Sequence, residues 1–364
     1  MHHVTIFSDR LFVPTHVAIS HILFALSSMW NLKIYAREAI DSEIYPSLKP
    51  VLLTNEEDIK RAANESDLFH CYAGSGATLI TETVQNVSKS KNIHFTISID
   101  GTWLYQLVCR GPKSDKIEEF INSAHRIIVP TNSQMKIMTS MGIPSSRINV
   151  VRPGLPLEQY KSASPLFLRH EFRVCFVGRL TQRKNVMAAF KAFQLLHSSY
   201  PDSKFIAVGD GPEKNRLLHA IKESGLENHC VVLGLLSHDK MLRVLVDSSV
   251  LCCPAVVDER STTSGLPFIV IESQAVGIPV VAVQTGGMAE GVVDGKTGFL
   301  TLTSDPQVLA ENLLKLASDR NLLRAMSTTA RSWVRENFDI RLSIQSLNRI
   351  FQSTIETPAN NPPA

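Results

Sequence analysis

None of the six cysteines, Cys71, Cys109, Cys175, Cys230, Cys252 and Cys253, pairs with another in a Cys-x-x-Cys spacing. Most sit in apolar runs that read as strands, so free, buried thiols in a reducing, cytoplasmic compartment are expected. Charge of one sign is also scarce. The net charge of +3 over 364 residues does not suggest a nucleic-acid binder, although local basic clusters can still meet anionic ligands or lipid. No long apolar run is present. The most apolar early segment, His16 to Trp30, is interrupted by Ser20, His21, Ser27 and Ser28, and is too short and polar to span a bilayer. The N-terminus, MHHVTIFSDRLFVPTH, lacks a basic region followed by an apolar core, so no signal peptide is expected. No repeat of solenoid length occurs.

What is present is a rhythm. Apolar runs of strand length alternate with longer amphipathic stretches. In the first half the strand-like runs are Val4-Phe7, Leu32-Tyr35, Leu68-Cys71, Phe95-Ile99, Arg126-Val129 and Ile148-Val151. In the second they are Arg173-Val177, Lys204-Val208, Val231-Leu233, Val250-Cys253, Pro279-Val283 and Gly298-Leu300. Helical stretches lie between, among them Ala18-Met29, Asn185-Ser199, Pro212-Ser224, Phe268-Val276 and Pro306-Ala317. Such βαβ alternation predicts parallel sheets covered by helices on both faces, and there are two complete sets. The expected fold is α/β, two doubly wound Rossmann-like domains over residues 1–160 and 161–340. A last helix at 341–358 and a Pro- and Asn-rich tail at 359–364 complete the chain. The first strand ends Phe7-Ser8-Asp9-Arg10 without Gly-x-Gly-x-x-Gly, which argues against an NAD(P) oxidoreductase.

Ligands of doubly wound sheets bind beyond the carboxyl ends of the strands, so those ends carry the chemistry. The run CFVGRLTQRKNV ends a strand at Gly178 and places Arg179 and Lys184 around a short loop. An arginine fork and a lysine point charge there suit a diphosphate, though a solvated basic loop would look the same. Downstream, SGLPFIVIESQAVGIPVVA puts Ser264, Gly265, Leu266 and Pro267 before a helix whose free N–H groups favour an anion. Glu272 lies inside that helix. It reads either as a carboxylate for ribose hydroxyls or as an exposed helix glutamate. Gly286-Gly287 opens a further short helix, and Gly295 and Gly298 read as turn residues. In AVGDGPEKNRL, Gly209 is a strand-to-helix turn first and a ligand contact second, with Pro212 at the helix start.

GRLTQRKN, GDGP, VVLGLL, SGLPFIVIESQAVGIPVVA and TGGMAEGVVDGKTGFL together resemble, in order and spacing, the retaining family 4 glycosyltransferases of GT-B fold. The resemblance covers nearly all of residues 171–300. DLFHCYAGSGA and AHRIIVPTNSQMKIMTSMGIPSSRINVVRPGL resemble the family's first domain more loosely. It implies a nucleotide-sugar donor held between the domains, with Arg179 and Lys184 on the diphosphate, Glu272 on the ribose and Leu235 beside the base. It implies no cofactor and no metal, because the cations take the metal's place. It also implies a glycan or lipid-linked acceptor, with the protein expected in the cytoplasm or at the inner face of the membrane. The final helix would cross back onto the first domain.

Two positions depart from the family's pattern. Ser264 stands where a sugar-contacting glutamate is usual, with Asp258 and Glu259 nearby in VVDERSTTSG. SIDGTW puts Asp100, rather than histidine, before Gly101, and Asp100 reads either as a base or as a strand-end turn residue. Asp9, Arg10, His16 and His21 are acceptor-side candidates. A degenerate protein that binds a nucleotide sugar or a partner enzyme without transferring is the second reading, and a GT-B epimerase or phosphorylase the third.

Overall fold

The computed structural model describes residues 2–11, 17–39, 45–73, 78–99, 101, 104, 115–161, 171–256 and 265–357. Two contact-dense units emerge. One holds Met1–Pro156 and Phe338–Ala364, and the other holds Leu157–Arg260 and Leu266–Asn337. Each is built on its own parallel sheet.

The first sheet has seven strands: β1 (His3–Leu11), β2 (Asn31–Ala39), β3 (Val51–Leu52), β4 (Leu68–Ala73), β5 (His94–Ile99), β6 (Arg126–Val129) and β7 (Ile148–Val150). Their order is β3-β2-β1-β4-β5-β6-β7, all pairs parallel. Side chains alternate across a strand, and β1 shows the result. Phe7 joins one buried cluster with Phe69 and Phe95, while Val4 and Ile6 join another with Ile344, Leu347 and Phe351. The second cluster is closed by the helix Ile340–Ile355, so the end of the chain completes the core of its beginning. Asp339 caps that helix by accepting from the Arg341 N–H at 2.9 Å. Gly154 lies beneath it, where an added Cβ would come within 2.4 Å of the Ile340 Cα.

The second sheet has six strands: β8 (Phe172–Val177), β9 (Ser203–Val208), β10 (Cys230–Val232), β11 (Val250–Cys253), β12 (Val280–Val283) and β13 (Gly298–Thr301). Their order is β10-β9-β8-β11-β12-β13, again all parallel. The central strands β11 and β12 are buried throughout, as a sheet covered on both faces requires. Both sheets reverse their strand order beside the first strand, which makes β1/β4 and β8/β11 the switch points.

Several expectations need correction. The edge strand β3 has only two residues, both exposed, and shows no alternation to read. The helix Arg320–Asn337 was not anticipated, because three of its first six residues are charged or amide side chains that blur the apolar period; its start is nonetheless marked by Asp319, which accepts from the Asn321 and Leu322 N–H groups at 2.9 Å. Pro212 precedes its helix by two residues, since that helix begins at Lys214. Gly298 is not a turn residue. It opens β13, and a Cβ there would lie 2.1 Å from the Val280 carbonyl oxygen. Cys71, Cys175, Cys252 and Cys253 are free and buried, whereas Cys230 is free and half-buried on the edge strand. Cys109 lies outside the described residues. Among the described residues no helix is long and apolar enough to cross a membrane.

Candidate active site

Parallel strands bring all their following loops to one edge of the sheet. Gly178 and Arg179 follow β8, Gly209 follows β9, Leu235 follows β10, Leu266 and Pro267 follow β11, and Gly286-Gly287 follows β12. Residues scattered over 110 positions of sequence therefore share the carboxyl edge of the second sheet.

Two of these loops are fused by glycine. Gly178 (φ 153°) and Gly209 (φ 134°) adopt backbone conformations that side chains avoid. A Cβ on Gly209 would lie 2.0 Å from the Gly178 carbonyl oxygen, and one on Gly211 would lie 2.4 Å from that of Leu180. Leu180 N–H donates to the Asp210 carbonyl at 2.8 Å, and Glu213 N–H donates to the Leu180 carbonyl at 2.9 Å. Gly209 is buried and its N–H donates to the Gly234 carbonyl at 2.8 Å. Its evident work is to hold the Arg179 loop in place.

That loop turns on local caps. Thr181 accepts from the Lys184 N–H across the short 3-10 turn Gln182–Lys184. Asn185, left-handed at φ 55°, then caps the helix Val186–Ser199 by accepting from the Ala188 N–H. Val256 N–H donates to the Arg183 carbonyl at 3.0 Å, tying the loop to the segment after β11. Lys184 consequently sits at the switch point beside Cys253, the last residue of β11. Burial pushes its ammonium below the ordinary lysine range. Cys253 works the other way, and Arg183 and Arg179 add to the lowering. Among the described residues neither Arg179, which is exposed, nor Lys184 makes an ion pair. Clustered cations of this kind suit an anion.

Glu272 is 4% exposed, so the reading of an exposed helix glutamate is wrong. It lies in the helix Phe268–Ala275, and its Oε1 takes two hydrogen bonds. Tyr160 Oη donates at 3.0 Å and His238 Nε2 lies 2.5 Å away. Burial opposes a charged His238, but the Glu272 hydrogen bond and charge, followed by the charge of Asp239, outweigh it and raise its pKa. Gln274, two residues on, donates from Nε2 to the carbonyls of Gly291 (2.8 Å) and Val270 (3.1 Å). Leu266 packs on Gly291, where a Cβ would lie 2.3 Å from Leu266 Cδ1. These contacts tie Leu266 before the Glu272 helix and Gln274 near its end to the last residue of the short helix Met288–Gly291. Leu235 is 78% exposed, a free apolar surface at the same edge.

Tyr160, His238 and Gln274 were not anticipated. His238 carried a weak signal, because it opens a helix directly after the strand-and-glycine run VVLGLL. Tyr160 carried none, since it precedes the whole second sheet. In the first unit, Asp9 and Arg10 lie on the backbone of β1 near its carboxyl end. His21 is not an acceptor-side residue. It is 1% exposed in the core of the first unit, with Nδ1 2.7 Å from the Tyr45 hydroxyl. His16, Asp100, Asp258, Glu259 and Ser264 lie outside the described residues, and Gly265 is half-buried just before Leu266.

Residues 161–333 match the family described as glycosyl transferases group 1. A putative colanic acid biosynthesis glycosyltransferase, WcaL, of Salmonella typhimurium is 29% identical over 221 residues, covering 60% of this chain and 53% of the relative. The chain thus spans about half the length of that curated relative. An N-acetyl-alpha-D-glucosaminyl L-malate synthase of Bacillus anthracis is 24% identical over 95% of this chain and 90% of its own. The crystal structure of Anabaena HepE in complex with UDP and glucose superposes with a TM-score of 0.77 at 19% identity, over 97% of this chain and all of that one. The fold is that of the GT-B glycosyltransferases, and residues 161–333 match the family described as glycosyl transferases group 1.

Proposed function

We propose that the chain is a retaining glycosyltransferase that moves a sugar from a UDP- or GDP-sugar onto a glycan or lipid-linked acceptor in surface polysaccharide biosynthesis. The observation that carries this reading is the pair Arg179 and Lys184, without an ion pair among the described residues, at the switch point of the second sheet that also carries the buried Glu272. Arg179 and Lys184 bind the diphosphate and stabilise the charge that develops on it as the glycosidic bond breaks. Glu272 accepts from the ribose. The leaving diphosphate helps to take the proton of the acceptor hydroxyl on the same face. No metal is required, because the two cations do its work. The WcaL relative named for colanic acid biosynthesis and the HepE structure with UDP and glucose support a nucleotide-sugar donor and a polysaccharide product.

The test is transfer and donor hydrolysis by the purified protein across a panel of UDP- and GDP-sugars, with and without EDTA. Turnover that survives EDTA and is lost in R179A and K184A supports the reading. D100N probes the acceptor side in the same assay. The second reading, binding without transfer, is favoured by Ser264 standing where the resembled family carries a glutamate. Normal nucleotide binding with no turnover, and a gain of turnover in S264E, would decide for it.

A further inference from the structure

Glu272 carries both of its hydrogen bonds on one oxygen. Tyr160 Oη and His238 Nε2 both meet Oε1, at 3.0 Å and 2.5 Å. A carboxylate oxygen offers two lone pairs, so Oε1 is filled. Among the described residues, Oε2 accepts nothing. The two partners come from distant elements. Tyr160, 2% exposed, ends the 3-10 turn Leu157–Tyr160 before β8, and His238 opens the helix His238–Val246 after β10.

We infer that Tyr160 and His238 are positioning residues that saturate Glu272 Oε1, leave Oε2 alone for the nucleotide, and thereby set the preference for ribose over deoxyribose. The inference rests on the nucleotide-sugar reading above. Rotating a carboxylate that two buried donors hold would break both bonds, and hydrogen bonds to charged groups are the strong ones. His238 adds charge as well as geometry. It stands at a helix N-terminus, where the dipole disfavours a cation, and burial disfavours it too. Glu272 from the neighbouring helix and Asp239 on its own helix nevertheless raise its pKa, while Tyr160 shares the Glu272 oxygen. The imidazolium is therefore present below that raised pKa. Above it, His238 keeps at most a neutral N–H donor, and Glu272 is held less firmly.

Calorimetric titration with UDP and GDP and with their 2′- and 3′-deoxy counterparts tests this on the whole chain. The readout is the ratio of deoxy to ribo dissociation constants within each variant. For the wild type, removing one of the two hydroxyls weakens binding about tenfold, the scale of a hydrogen bond to a charged group. In H238L and Y160F that ratio falls at least about threefold, and in E272Q it approaches one. H238Q, whose amide keeps a donor, restores it. The wild-type ratio declines as pH rises through the His238 pKa, and that of H238Q stays flat. A variant with a damaged fold loses both nucleotides together and leaves the ratio alone. A ratio unmoved in H238L and Y160F variants that still bind the ribonucleotide overturns the inference while leaving the nucleotide-sugar reading intact. Failure of the wild type to bind either ribonucleotide overturns that reading, and the inference with it.

Discussion

The α-carbon of Gly209 lies against the carbonyl of Gly178, so closely that a methyl group there would stand 2.0 Å from the oxygen. Two loops that follow adjacent strands are thereby joined, and Arg179 rides on the junction. Gly209→Ala meets both a backbone clash and a φ of 134°. The expected loss is about 2–3 kcal/mol of stability, together with weaker diphosphate binding. Urea unfolding with and without UDP measures both. An alanine variant as stable as the wild type would remove glycine's role in building this edge.

Lys184 gives a pH signature. Its pKa is depressed, so the free protein loses the ammonium at a pH below the usual lysine range. A diphosphate favours the charged form, so its affinity falls as pH rises through the depressed pKa. Lys184→Arg keeps its charge throughout and should flatten the profile. Lys184→Ala should lower turnover about 100- to 1,000-fold if the side chain stabilises the leaving group. Comparing the three profiles separates charge from packing, and equal slopes in wild type and K184R would exclude Lys184 as the titrating group.

The last helix is part of the first unit's core rather than an appendage. Phe351 is fully buried, with its ring 5.9 Å from Trp30 and 5.1 Å from His70. Phe351→Ala should cost about 3–5 kcal/mol. Tryptophan fluorescence would report the loss locally through Trp30. A small cost would mean that the helix is not needed to close this layer.

His70 offers an acid test of the same layer. Its ring is fully buried between β1 and β5, with Nδ1 2.7 Å from Thr96 Oγ1 and Nε2 3.1 Å from Ser98 Oγ. Burial lowers its pKa to about 3. The unfolded chain takes up this proton near the ordinary imidazole value of 6.5, so the neutral ring's contribution is complete above that pH. It is lost progressively as pH falls towards 3. The urea midpoint should therefore drop over that window, and less so in His70→Gln. Identical slopes would assign the acid sensitivity elsewhere.

Much of this was legible in the sequence. Val250-Cys253 is a strand to the residue, because a strand buried on both faces is apolar throughout, and Arg126-Val129 matches as well, with only its first residue charged and half-buried. The basic loop at Gly178–Lys184 was legible because glycine, arginine and lysine after a strand have few structural reasons to coincide. Gly298 misled because a glycine forced by close strand approach looks the same in sequence as one that turns the chain. Glu272 could be read either way, since helical spacing does not say which side of the helix is covered.

The sequence by itself determined the two parallel sheets and the residue types at the carboxyl edge of the second. Strand burial and loop chemistry are local properties, written in composition and period. Only the tertiary structure decided that Glu272 is buried and that Tyr160 and His238, 78 positions apart, share its Oε1. It also decided that the last helix closes the first core and that Gly209 supports Gly178. Those facts depend on which distant elements meet, and a hydrogen bond to a buried carboxylate is specified by its partners' positions in space, not by their spacing along the chain.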